Sequence, residues 1–235
     1  MTTAAPDSQL SPETSIAHWS SLPPTVNSML GGYPQIFRPD LRAFYAKLLR
    51  LHPASTQGIV TGMDCGAGIG RITAGFLSEI CDVVDILEPV ESFAKEARSQ
   101  TLEGKGIIGE TFVTGLEDWS PGKGKYDLIW NQWCTLYLTD KQCVAYLERC
   151  RDAIKRPDGW IIVKENSTKD VQEGGPEDDV YDEEDSSVTR TNEKFLTIFK
   201  QAGLYVVAKE TQKAFPKGLG LYPVRMYALR PRPPT

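Results

Sequence analysis

Along this chain, short apolar, β-branched runs alternate with longer segments whose apolar residues recur three and four apart. The run 58–64 predicts a strand, and Ile69 to Ile80 predicts the helix after it. Further strands are expected over 82–88, 110–114, 126–131, 160–164, 204–210 and 224–230. Between them, helices are expected over 91–101, from the Thr139-Asp-Lys-Gln142 capping box to Lys155, and over 192–202, ended by Gly203. Two helices precede the first strand. One opens at Ser11-Pro12-Glu13, carries Ile16 and Trp19 and stops before Pro23-Pro24; the other covers 40–51, with Leu41, Phe44, Tyr45 and Leu48 on one face. This alternation predicts an α/β fold of one domain over 1–235, a seven-stranded, mainly parallel sheet with helices on both faces plus N-terminal helices. Its ligands would sit at the carboxyl ends of the strands. Residues 1–10 and 231–235 are expected to be disordered, and 170–185 to form an acidic loop.

Between the first strand and its helix stands Met63-Asp-Cys-Gly-Ala-Gly-Ile-Gly-Arg-Ile72, with three alternating glycines. Glycine is needed where φ is positive or a side chain would strike a ligand, and the following helix N-terminus offers free N–H groups. A dinucleotide fingerprint would place its third glycine at 71, where this chain has Arg, which argues against NAD. Glu88, ending the next strand, suits the two hydroxyls of an unphosphorylated ribose, since a carboxylate accepts from both. The site points to a nucleoside-type cofactor.

The formal net charge is −5, yet 170–185 holds nine acidic residues and no Lys or Arg. Without it the chain has 26 basic against 22 acidic residues. Such a rim favours a basic partner and repels nucleic acid. No apolar run is long enough to span a bilayer, and 1–12 lacks a signal core, so a soluble, intracellular protein is expected. Five cysteines form no C-x-x-C pair and only His18 and His52 could join them, so no metal is expected and the thiols read as buried. With no Ser-His-Asp set, Cys-His pair or Schiff-base Lys at the strand ends, direct displacement between two bound substrates fits better than covalent catalysis.

Several segments together resemble the α-N-terminal protein methyltransferases, class I enzymes with a Rossmann-like fold that act on X-Pro-Lys or X-Pro-Arg amino termini. They are Trp19 with Leu22-Pro-Pro-Thr-Val26, Met29-Leu-Gly-Gly-Tyr33, the glycine loop, Ile129-Trp-Asn-Gln-Trp133, Lys164-Glu-Asn166, Asp185-Ser-Ser-Val188 with Arg190, and Tyr222-Pro-Val224. The resemblance implies that Gly66, Gly68, Arg71, Glu88, Leu116, Glu117 and Gln132 hold S-adenosylmethionine. It implies that Trp19, Leu30, Gly31, Trp133, Asp182, Ser187 and Tyr222 hold the peptide, and that Asn166, Asp185 and Tyr137 serve catalysis. Expected substrates are proteins exposing X-Pro-Lys/Arg once the initiator Met is gone, ribosomal and chromatin proteins among them, in the cytoplasm or nucleus.

The chemistry is consistent with these residues. A proline ring is read by packing against Trp133 and Leu30. An α-amine has a free pKa of about 7.7 to 8.0 against about 10.4 for lysine, so a modest base is enough. Asn166 can accept from the amine and aim its lone pair while Asp185 takes the proton. The chain departs from the family pattern in one place: a histidine there is replaced by Tyr137, which can hydrogen-bond but is a poor base at neutral pH. Two alternatives stay open: a catalytically weak reader of X-Pro-Lys termini, and a class I methyltransferase for another basic or small-molecule substrate.

Overall fold

The computed structural model describes residues 4–42, 60–155, 158–176, 178–216 and 218–232. A seven-stranded sheet runs in the order β3-β2-β1-β4-β5-β9-β8. Its strands are β1 (Thr61–Cys65), β2 (Val83–Leu87), β3 (Ile107–Phe112), β4 (Leu128–Gln132), β5 (Trp160–Asn166), β8 (Leu204–Thr211) and β9 (Val224–Pro231). The first five pair in parallel, whereas β9 lies antiparallel to both β5 and β8. A separate antiparallel hairpin joins β6 (Val180–Asp182) to β7 (Ser187–Thr189). This is the expected seven-stranded, mainly parallel sheet of a class I methyltransferase, with a hairpin added inside the acidic stretch.

Alternation along the strands builds two cores. Ile129, Ile161, Val163, Tyr227 and Leu229 face one side, where Tyr146, Leu147 and Cys150 of helix Asp140–Ala153 and Phe195, Ile198 and Phe199 of helix Asn192–Gln201 cover them. Leu128, Trp130, Trp160, Ile162, Met226 and Ala228 face the other, under Ile72, Phe76 and Leu77 of helix 71–80. Strands buried on both faces read as near-continuous apolar runs, which is how β4 and β5 read. The capping box forms as the sequence predicts, with Gln142 N donating to Thr139 Oγ1 at 3.2 Å and Thr139 N to Gln142 Oε1 at 2.9 Å. All five cysteines are free and buried.

Several boundaries differ from expectation. Residues 6–9, expected to be disordered, form a 3-10 turn, and Asp7 Oδ2 accepts from Asp140 N at 2.9 Å, so the contact that orders them is tertiary. Pro231, expected in a disordered tail, closes β9 opposite Leu204. The acidic stretch is not a single loop: Val171–Glu173 is a 3-10 turn and Val180–Asp182 pairs with β7. The helix expected over 40–51 is observed as Phe37–Arg42, and the remainder of that expectation lies outside the described residues. Helix 71–80 contains a π-type turn over Thr73–Leu77, a feature often found beside functional sites.

Candidate active site

The glycine loop connects β1 to helix 71–80 with Gly66, Gly68 and Gly70 at φ 62°, 55° and 78°. A Cβ on Gly66 would stand 2.4 Å from Cys134 Cβ, so conformation and space both require glycine there; at Gly68 the positive φ is the requirement, since the flexible Met29 side chain 2.8 Å away can shift. Glu88 ends β2 and curls back under the loop. Its Oε2 accepts from Gly68 N at 2.7 Å and its Oε1 from Val90 N at 2.9 Å. Burial nevertheless dominates and pushes its carboxyl up to about 7, the two backbone donors lowering it in part. Each oxygen keeps a lone pair for a further donor. Beside it, Leu116 and Glu117 hang from a turn after β3 whose carbonyls are gripped by Arg149 Nη2, at 2.8 Å to both.

Arg71 and Gln132 converge on a residue that no motif singles out. Asp40 is 1% exposed; its Oδ2 accepts from Arg71 Nη1 at 2.5 Å, its carboxylate from Gln132 Nε2 at 2.9 and 3.0 Å, and its Oδ1 from Lys164 Nζ. Burial raises the Asp40 carboxyl, but the two cations outweigh it and leave it below its ordinary value. Arg71 and Lys164, whose ammonium burial pushes below its ordinary value, share this carboxylate, and Arg71 also lines the cavity. A guanidinium so placed can meet a ligand carboxylate. Asp64, at the carboxyl end of β1 as expected of the glycine-loop segment, is fully buried, accepts from Thr73 Oγ1 at 2.6 Å and is pushed up to about 6 by burial.

At the opposite end stands Tyr137, in the 3-10 turn Thr135–Tyr137 after β4. Its hydroxyl accepts from Trp19 Nε1 at 2.8 Å and donates to Asp185 Oδ2 at 2.9 Å. Burial, and then the Asp185 charge, drive the phenol well above its ordinary value. Tyr137 therefore stays neutral. Asp185 Oδ1 is buried and has no partner among the described residues, and Asn166, half-buried at the end of β5, lines the same cavity. Trp133 adopts φ 53°, a left-handed conformation unusual for a bulky residue, and its buried Nε1 has no partner among the described residues. Asp182 and Ser187 face each other across the β6/β7 hairpin, the former exposed and the latter buried, while Tyr222 is 45% exposed.

The expected site residues meet in one cavity of about 540 Å³. Gly66, Gly68, Arg71, Glu88, Leu116, Glu117 and Gln132 line it together with Trp19, Leu30, Gly31, Trp133, Tyr137, Asn166, Asp182, Asp185, Ser187 and Tyr222. Met29, which touches the glycine loop, and Asp64 line it as well. Its volume lies in the range of cofactor sites. The Glu88 carboxylate and the glycine cradle fit a ribose, and the Arg71 cluster fits the carboxylate of a methionine, so the residues present suit S-adenosylmethionine. Among the described residues no group of three or more His, Cys, Asp or Glu could hold a metal, and no helix is long and apolar enough to cross a membrane.

Comparison with known proteins agrees with this geometry. Residues 7–230 match the family described as AdoMet dependent proline di-methyltransferase. The alpha N-terminal protein methyltransferase 1 of Schizosaccharomyces pombe is 42% identical over 222 residues, covering 92% of this chain and 94% of that protein. The N-terminal Xaa-Pro-Lys N-methyltransferase 1 of Mus musculus is 41% identical over 216 residues, covering 91% and 92%. Among solved structures, a SAM-dependent methyltransferase from Leishmania major superposes with a TM-score of 0.81 at 31% identity, covering 93% of this chain and 82% of its own.

Proposed function

This chain belongs to the AdoMet-dependent proline dimethyltransferase family, and from that premise we propose that it methylates the free α-amino group of proteins beginning X-Pro-Lys or X-Pro-Arg. It is an S-adenosylmethionine-dependent methyltransferase. The observation that carries the substrate reading is Asp185 Oδ1, a buried carboxylate oxygen with no partner among the described residues, in the same cavity as the Asn166 amide. A protonated amine entering there satisfies both.

S-adenosylmethionine supplies a methyl carbon made electrophilic by its sulfonium. Asp185 accepts a proton from the incoming ammonium, and the Asn166 carbonyl takes a remaining N–H, so that the amine lone pair faces the methyl. Tyr137, neutral and donating to Asp185, fixes the carboxylate without removing the proton itself. Trp19 orients Tyr137 through its indole N–H. Held by Gly66, Gly68, Arg71, Glu88, Leu116, Glu117 and Gln132, S-adenosylmethionine would supply its methyl to the amine and leave as the neutral thioether, and alignment of the two would contribute much of the acceleration. Trp133 and Leu30 pack the proline ring, while Asp182, Ser187 and Tyr222 meet the basic third residue at the cavity rim. Proteins exposing such termini, ribosomal and chromatin proteins among them, are the substrates this reading assigns, with the cytoplasm as the expected compartment and the nucleus as a second one.

Peptides test the recognition. Ser-Pro-Lys-Arg is expected to be methylated faster than Ser-Ala-Lys-Arg and Ser-Pro-Glu-Arg. Equal rates on all three would refute it.

A further inference from the structure

Glu165 lies one residue before Asn166, wholly buried, and belongs neither to the cavity lining nor to the cofactor cradle. Its Oε1 accepts from Cys134 N at 2.9 Å, Thr135 N at 2.8 Å and Thr135 Oγ1 at 2.9 Å, while its Oε2 has no partner among the described residues. Arg190, also wholly buried, approaches the same turn from another element, just after β7. Its guanidinium donates to Thr135 O at 3.1 Å, to Leu138 O and to Asp140 Oδ1 at 2.9 Å. The Glu165 carboxyl thus holds the N–H groups at the start of the turn and the Arg190 guanidinium the carbonyls along it.

The turn so bracketed carries the two side chains that face the substrate. Trp133 precedes it in the left-handed conformation, and Tyr137 closes it with its hydroxyl on Asp185. Strain at a bulky residue persists only where the surroundings over-determine it. Burying a charge is a poor way to stabilise a fold, since apolar groups of the same shape often do as well or better. Held rigidly, however, a buried charge fixes the geometry of what it bonds.

We propose that Glu165 and Arg190 are positioning residues that clamp the 134–138 turn, so that Trp133 and Tyr137 present the substrate's amino terminus in register with the methyl donor. The proposal rests on the N-terminal methyltransferase reading above. The cofactor cradle, built from β1, β2 and the turn after β3, packs on the turn at Gly66 against Cys134, but among the described residues it shares no hydrogen bond with Glu165 or Arg190.

The test uses the full chain with Glu165→Gln and Arg190→Lys, each alone and combined with Tyr137→Phe. Transfer to Ser-Pro-Lys-Arg, S-adenosylmethionine affinity by calorimetry, and hydrogen exchange over 133–138 are measured. Each single variant is expected to lower kcat about tenfold or more, with cofactor affinity within about twofold of wild type. In the Tyr137→Phe background the loss shrinks to about threefold or less, because residues acting through one unit are not additive. Exchange over 133–138 rises while the glycine loop is unchanged. Wild-type kcat, cofactor affinity lost in step with rate, or a full loss retained beside Tyr137→Phe would overturn the clamp. Should Glu165→Gln fail to fold, Arg190→Lys decides by the same criteria. A wild type inactive on the peptide refutes the functional reading, and the exchange comparison then decides the clamp by itself.

Discussion

Glu88 predicts a pH dependence of cofactor binding that the fold imposes. With its carboxyl pushed up to about 7 by burial, the free protein holds Glu88 about half protonated at pH 7. Both oxygens already accept a backbone N–H, so two ribose hydroxyls can be accepted only by the ionised form, which has the lone pairs. The raised value means that the protonated form dominates below pH 7. Affinity is therefore full above 7 and lost as pH falls through it, so apparent affinity drops about tenfold from pH 8 to pH 6. Calorimetry should also show release of about half a proton at pH 7, seen as different apparent enthalpies in phosphate and Tris. Glu88→Gln should bind more weakly and lose the pH slope. A flat affinity from pH 6 to 8 with equal enthalpies in the two buffers would refute the reasoning.

Gly66→Ala places a Cβ at φ 62° and 2.4 Å from Cys134 Cβ, and should weaken S-adenosylmethionine at least about tenfold by calorimetry, with secondary structure by circular dichroism intact. Tyr137→His replaces a neutral donor by a group that titrates near neutrality, and should raise the methylation rate at pH 7 by about three- to tenfold; a large fall would contradict the place given to Tyr137 beside Asp185. The cofactor-free protein should melt higher at pH 5.5 than at pH 8. Burial raises Asp64 to about 6 and Glu88 and Glu165 to about 7, so their contribution is full below the unfolded values and lost as pH rises through 6 to 7. A melting temperature that rises with pH over this range would overturn that assignment.

Local patterns in the chain announced the sheet, the glycine loop and the helix caps, because strand alternation and capping are set within a few residues. The hairpin 180–189 escaped because its strands are three residues long and set among acidic side chains with no apolar alternation. Asp40 escaped for a different reason. Its partners Arg71, Gln132 and Lys164 lie 31, 92 and 124 residues away, and on a sequence it passes for an ordinary helix residue. The Trp19–Tyr137–Asp185 relay spans 118 and 48 residues, so its individual members were visible only through resemblance and their hydrogen bonds not at all. Tyr137 itself was legible as a departure, and the structure adds that its proton points to Asp185.

Transfer to an α-amine is tested most directly by incubating the enzyme with S-adenosylmethionine and Ser-Pro-Lys-Arg, or with the same peptide acetylated at its amino terminus, and reading mass gain. Methyl additions confined to the free peptide, and located on the α-nitrogen by fragmentation, are the expected result. Methylation of the acetylated peptide, or of the lysine side chain, would contradict the account.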